Sequence, residues 1–237
     1  MIDFKTYKRE LLEDWQRIPK TQYGSNDGGL HMDEMGNKSY IKFPATPEQA
    51  HAEVASANLY HALGIRTVSP EVIKENGRVG VSSKWNPDLK SLKREDLEEL
   101  SKNQKHADAL ALMHHAAIMT GNRDIVGLDY GNIMHDTKND ELVSVDQGGS
   151  FDHRAMGGKK DFNPDIKDVE TFKTPRYTVH HVFSGVYEHH PEAFKRASEA
   201  ISRLPDTKVS EILKTHSMGH HFDTVNTRRR LLAQHSV

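Results

Sequence analysis

The stretch Gly121-Asn122-Arg123-Asp124-Ile125-Val126-Gly127-Leu128-Asp129-Tyr130-Gly131-Asn132-Ile133-Met134 decides how this chain is read. After a polar turn comes Val143-Ser144-Val145-Asp146-Gln147-Gly148-Gly149. Together they set a carboxylate in a loop, a carboxamide entering a short apolar strand, and a second carboxylate ending another short strand. That order suits an Asp that orients a hydroxyl, an Asn that holds magnesium, and a later Asp that bridges magnesium to the phosphates of ATP. The pattern points to phosphoryl transfer.

Bulk properties are compatible with this. A chain of 237 residues can form one large domain or two small lobes around a cleft. A net charge of −2 and a pI near 6.8 argue against a nucleic-acid binder or a membrane-surface protein. The run Arg228-Arg229-Arg230 reads as a solvated helix face. The chain has no cysteine, which excludes disulfides, thiolate metal sites and cysteine nucleophiles. No apolar run approaches the roughly 20 residues of a membrane span. Met1 to Thr6 lacks the apolar core of a secretory signal. The expected location is the cytoplasm, or a host or target cell reached through a dedicated secretion system.

Working outward, residues 3–18 place Phe4, Tyr7, Leu11, Leu12, Trp15 and Ile18 at helical spacing, and Pro19 stops that helix. Gly24-Ser25-Asn26-Asp27-Gly28-Gly29 forms a glycine-rich turn running into a strand. Asp33 to Asn37 is a hairpin turn, and Lys38 to Phe43 the returning strand. Thr46-Pro47-Glu48-Gln49 carries a cap, an N-terminal proline and an acid, opening a helix that Gly64 closes. Two strands, Val68–Ile73 and Val79–Lys84, flank a turn at Asn76-Gly77. The polar stretch from Asn86 to Lys105 reads as a connection, and Asp108 to Met119 as an apolar helix. Beyond Asp146 the chain is turn-rich to about Pro175. It ends in helices near Pro191–Arg203, Ser210–His216 and Phe222–Ala233.

The glycines let backbone N–H groups approach an anion. Lys42 sits between Ile41 and Phe43, so strand alternation turns it to the other face, under the glycine turn. There an ammonium can meet α- and β-phosphate oxygens. Glu53 is its expected partner, with Glu48 as second choice. Asp124 follows two loop formers at a helix end and can orient or deprotonate a hydroxyl. Asn132 comes eight positions later (132 − 124), against roughly five in the common protein-kinase loop. Val126-Gly127-Leu128 are therefore expected to bulge out, and Asp129 competes with Asp124 for the base role. Asp146, before two glycines, suits a magnesium ligand.

These motifs as a set resemble bacterial kinases similar to actin-fragmin kinase, within the wider phosphoinositide-3/4-kinase-like and HipA-type atypical kinases. The matching pieces are Gly24 to Leu30, Tyr40-Ile41-Lys42-Phe43, Glu53 to Tyr60, Asn122 to Leu128, Asp146 to Phe151 and Arg154-Ala155-Met156-Gly157-Gly158. They fall within residues 22–160. The resemblance implies an α+β, two-lobed atypical protein-kinase-like fold with a small β-rich N-lobe and a mostly helical C-lobe. Residues 1–21 would form an N-terminal helix, 22–88 the N-lobe and 89–237 the C-lobe. It implies ATP and magnesium as cofactors, and in that group the longer catalytic loop is shared. Arg123 departs from the pattern, standing where related loops often carry an aromatic.

On this reading Gly24, Ser25, Asn26, Asp27, Gly28, Gly29, Lys42 and Glu53 bind the nucleotide phosphates. Ser83, Lys84 and Trp85 lie where a backbone hinge would read the adenine. Asp124 acts on the acceptor, and Asn132 and Asp146 hold the metal. The expected acceptor is a protein serine or threonine. A pseudokinase binding module, a lipid or small-molecule kinase, and an AMP transferase on the same scaffold are the alternatives. The 16 histidines include four doublets and the pair His216/His220, which read as structural rather than as a metal site.

Overall fold

The computed structural model describes residues 15–22 and 26–234. Five strands, β1 (Gln16–Arg17), β2 (Asp27–Met32), β3 (Lys38–Phe43), β4 (Glu71–Glu75) and β5 (Arg78–Lys84), form an antiparallel sheet in the order β1-β2-β3-β5-β4. Three more, β6 (Leu89–Ser91), β7 (Ile133–Asp136) and β8 (Glu141–Ser144), form a second antiparallel sheet. The helices are α1 (Pro47–Ala62), α2 (Arg94–Leu100), α3 (Gln104–Thr120), α4 (Asp168–Phe172), α5 (Thr178–His189), α6 (Pro191–Arg203), α7 (Asp206–Thr215) and α8 (Phe222–Gln234). The chain is thus mixed α/β, with a β-rich N-terminal part and a helical C-terminal part.

Local chemistry sets these boundaries. The Thr46 hydroxyl accepts from the Gln49 N–H at 3.2 Å, Pro47 opens α1, and Gly64 at φ 89° leaves it. Asn76 and Gly77 both take positive φ, 48° and 80°, which matches the twist of a two-residue hairpin between β4 and β5. Asp33 Oδ1 accepts from the Asn37 N–H at 2.7 Å and closes the β2–β3 turn. Gly121, left-handed at φ 69°, ends α3 and turns the chain into the candidate catalytic loop.

Helix α1 is buried on two sides. Ala50 and Val54 pack under the first sheet against Val81, while Ala52, Ala55, Leu59 and Tyr60 join the large C-terminal core. Alanines and apolar residues on both of these sides suit a helix between two layers. Helix α3 runs through that core and packs against α6 through Ala193, Phe194, Ala197 and Ile201. His114 and His115 are fully buried within it. Tyr187 Oη lies 2.7 Å from His114 Nε2, and Ser198 Oγ lies 3.0 Å from His115 Nε2. No described helix is long and apolar enough to cross a membrane.

Several sequence expectations are corrected. Gln16 and Arg17 form a strand paired with Met32 and His31, not the end of a helix; the rest of the proposed 3–18 helix, except Trp15 and Ile18, lies outside the described residues. Val68 to Pro70 precede β4 rather than belonging to it, because Ser69 has positive φ and Thr67 bridges to Ser144. The connection 86–105 contains β6 and α2. Helix α5 was not foreseen, because Thr178-Val179-His180-His181-Val182 is rich in β-branched residues and Gly185 interrupts it. That glycine is required: a Cβ there would stand 2.1 Å from Ser101 Oγ at the end of α2. The arginine run is not a solvated face either. Arg228 and Arg229 are buried, and only Arg230 is exposed.

Candidate active site

Lys42 leaves β3 on the face opposite Ile41 and Phe43, and its ammonium is held from two directions. Nζ lies 2.9 Å from Glu53 Oε1 on α1 and 3.1 Å from Asp146 Oδ1, two residues beyond β8. Glu48 sits exposed in the first turn of α1, away from this pair. Burial alone would lower the proton affinity of Lys42. The carboxylates of Asp146 and Glu53 outweigh it and raise the amine's proton affinity. Burial pushes the Glu53 carboxyl up to about 7 against the pull of Lys42, and the charge of Asp146 adds to the push.

Asp146 Oδ1 also accepts from the Gly148 N–H at 2.8 Å, while its Oδ2 has no partner among the described residues. Gly148 is tightly confined: a Cβ there would meet Asp146 Oδ1 at 3.1 Å and Glu53 Oε2 at 3.3 Å. Glu53 Oε2 is buried without a hydrogen bond.

The candidate catalytic loop closes on itself. Asn132 Nδ2 donates to the Asp124 carbonyl at 2.7 Å, leaving Oδ1 without a partner among the described residues. The Val145 N–H donates to the Asn132 carbonyl at 3.0 Å, which brings the start of β7 beside the end of β8. Asn132 and Asp146 thus each present an unpaired oxygen, and such hard donors fit magnesium.

The Asn122 side chain accepts from the Asp124 N–H at 3.1 Å and fixes the loop's entry. Asp124 is partly buried, and its carboxyl is pushed up to about 6, chiefly by burial and then by the charge of Asp146. Asp129 is exposed and accepts from the Gly131 N–H. The expected bulge is smaller than its three residues suggested. Val126 is fully buried, Gly127 turns at φ 80°, and Leu128 is the first to leave, at 89% exposure.

The glycine-rich segment divides. Gly24 and Ser25 lie outside the described residues. Asn26 lies just before β2, its carbonyl accepting from Gln22 Nε2. Gly28 pairs with Lys42, and a Cβ there would come within 2.5 Å of the Ile41 carbonyl oxygen. Gly29 is buried against Arg17 and Thr21. Asp27 pairs with Phe43, so its side chain takes the face away from Lys42. Its carboxylate bonds Arg78 at 2.7 Å and is not brought to the Lys42 cluster.

Ser83 and Lys84 end β5, opposite Tyr40 and Ser39. The Trp85 N–H donates to the Lys38 carbonyl at 2.9 Å, so that hinge donor is spent within the sheet. Lys84 and Trp85 line a cleft of about 500 Å³ with Thr67, Asp136 and Val143; Lys42 and Asp146 do not border it.

Three residues that the sequence reading passed over hold the site together. Gln49, buried in the first turn of α1, donates to the carbonyls of Gly148 and Arg154 at 3.1 Å and accepts from the Ala45 N–H. Lys160 donates to the carbonyls of Gly121, at 2.5 Å, and Gly149, joining the two loops; burial, reinforced by Arg123, depresses its ammonium to about 7. Asp168, buried at the start of α4, receives Arg123 on one oxygen and Arg228 Nη1 on the other, the latter at 2.7 Å. Arg123 therefore anchors the loop to α4. One signal was available in each case: a Gln in a capping position, and charged residues in a turn-rich stretch.

No protein-family model matches the chain, and no curated protein matches it. Among solved structures it is similar to the Helicobacter pylori proinflammatory kinase CtkA, at 13% identity and a TM-score of 0.45, covering 92% of this chain and 97% of that one. It is also similar to the N-terminal 618-residue fragment of LepB from Legionella pneumophila, at 14% identity and a TM-score of 0.42, covering 86% of this chain and 46% of that fragment. Both likenesses are too distant to show a family.

Proposed function

We propose that the chain is an ATP- and magnesium-dependent kinase that transfers the γ-phosphate to a hydroxyl, a serine or threonine of a protein. The observation that carries this reading is the double engagement of Lys42 by Glu53 and Asp146. A fixed ammonium beside a carboxylate with an unpaired oxygen suits a metal-bound polyphosphate.

Lys42 then meets the α- and β-phosphates, with Glu53 setting its direction. The segment from Gly24 to Gly29 covers the phosphates through backbone N–H groups, and Asp27 turns away to steady the sheet. Ser83, Lys84 and Trp85 frame the base, the Trp85 N–H excepted. Asn132 and Asp146 would hold magnesium, which when bound would offset phosphate charge. Asp124 orients the acceptor hydroxyl and takes its proton, a task its raised proton affinity suits. Asp129 serves the turn.

The test is incubation with labelled ATP, magnesium and a lysate of a candidate host, comparing the wild type with Asp146→Ala. Label on protein with the wild type only is expected. Equal labelling by both sinks the reading, and the mass of the adduct separates phosphate from AMP.

A further inference from the structure

Away from the Lys42 cluster, three side chains from a helix and a hairpin converge on one point. His106 lies in the first turn of α3, His135 on β7, and Asp140 at the tip of the β7–β8 hairpin, in left-handed backbone at φ 52°. His135 Nε2 is 2.9 Å and His106 Nε2 is 3.3 Å from the same oxygen, Asp140 Oδ1. The two imidazole rings meet edge to face with centroids 5.7 Å apart. Lys105 Nζ holds the other carboxylate oxygen at 3.1 Å and leaves Oδ1 to the rings.

We propose that His106, His135 and Asp140 form a binding site for a zinc-class divalent cation. Around a tetrahedral ion with ligands about 2.0–2.1 Å away, ligand atoms stand about 3.3 Å apart, and two imidazole centroids about 5 Å apart. The three ligand atoms here lie within 4.8 Å of one another, so small side-chain rotations complete that geometry. Two imidazoles and one carboxylate form a donor set that zinc prefers over magnesium. Cation binding requires both rings to carry their proton on Nδ1. Asp140 is 59% exposed, so the fourth position is open to water.

The ion would act as a clip. Helix α3 carries His106 in its first turn and ends at Thr120, beside Gly121, where the loop to Asp124 starts. The hairpin tipped by Asp140 runs between Asn132 and Asp146. One ion would thus join the far ends of the two elements that carry the candidate active site. The inference stands apart from the phosphoryl-transfer reading and survives its failure.

The probes are cobalt(II) and zinc with the full chain. One equivalent of cobalt(II) is expected to give the visible absorption of a four-coordinate ion, which zinc abolishes. His135→Ala and Asp140→Asn should weaken binding by more than about tenfold, since changing even an outer-shell partner costs about 10–100-fold. His220→Ala, at an exposed position beside buried His221, should bind like the wild type, and Lys105→Ala should bind at least as tightly. His135 and Asp140 are 21% and 59% exposed, so both variants should melt with the wild type in chelator, and zinc should raise the melting temperature of the wild type alone. Absence of the four-coordinate spectrum, or equal affinity in His135→Ala and Asp140→Asn, overturns the proposal. In that case the trio is only a hydrogen-bonded pair of rings on a turn carboxylate.

Discussion

The Asn132 carboxamide donates through Nδ2 to the backbone carbonyl of Asp124 at 2.7 Å, closing a loop of eight positions (132 − 124) into a ring. In the proposed kinase Asn132 would do two things at once, holding the loop with its nitrogen and offering its oxygen to a cation. The substitution Asn132→Asp keeps an oxygen but loses the donor. Transfer should drop by about tenfold or more, while the added ligand charge should move half-saturation to lower magnesium. Asn132→Ala loses both groups. Initial rates over a magnesium titration should show a deeper loss, with half-saturation moved to higher metal.

Asp124 sets a pH dependence. Its carboxyl is raised from 3.8 to about 6, so it protonates as pH falls through 6 and can no longer take a proton. The rate of transfer should fall on the acid side of about 6. The stability consequence has the opposite sense. Between pH 4 and 6 the folded chain holds this proton more tightly than the unfolded chain, so stability falls as pH rises through that window. Asp124→Asn should therefore abolish most transfer, by about 10²–10⁴-fold, yet stabilise the fold at neutral pH by roughly 1 kcal/mol. Parallel activity assays and thermal melts check both.

Lys42→Met leaves Glu53 and Asp146 facing each other without a cation. Removing one partner of a buried pair costs about 3–5 kcal/mol; with Asp146 partly exposed the lower figure is expected. Glu53→Gln keeps the shape and a neutral acceptor, and should cost about 1 kcal/mol while weakening transfer. Urea unfolding should rank the two in that order.

Gly148→Ala inserts a methyl 3.1 Å from Asp146 Oδ1 and 3.3 Å from Glu53 Oε2. Both oxygens must shift by a few tenths of an ångström. Displaced catalytic groups cost rate steeply, so a loss of about tenfold or more is expected with a small change in melting temperature.

Asp168 is shared by two arginines, and its variants should be unequal. Asp168→Ala strands Arg228, which is 3% exposed, and should destabilise by about 3–5 kcal/mol. Arg123→Ala leaves the Asp168–Arg228 bond in place and should cost about 1 kcal/mol. Denaturant melts distinguish them.

The sequence made some of this legible and hid the rest for physical reasons. Helix α1 was readable from Thr46, Pro47 and Gly64 because capping is local chemistry. The Lys42–Glu53 pair was readable because strand alternation fixes the face of Lys42 and the next helix supplies an acid. Asp27 misled: a residue type suited to a phosphate-covering turn sits instead in a strand, where Arg78 claims it. Gln49 and Lys160 were hidden because they bind backbone carbonyls, which every residue carries. The His106–His135–Asp140 trio joins a helix to a hairpin, so no spacing announces it. Helix α5 obeyed its apolar period at Val179, Val182, Phe183 and Val186, although its β-branched composition argued otherwise.

The fastening of α1 bears on how such a protein could be silenced. Gln49 bonds the carbonyls of Gly148 and Arg154, Ser150 Oγ donates to Ser56 Oγ at 2.8 Å, and Asn58 Nδ2 meets His216 Nε2 at 2.8 Å. These ties come from three successive stretches of one helix. Swinging the helix outward would strand several polar groups, at about 1–3 kcal/mol for each one left buried. A hinge at α1 is therefore a poor off-switch. In the proposed kinase, control would fall to covering the cleft or withholding the acceptor.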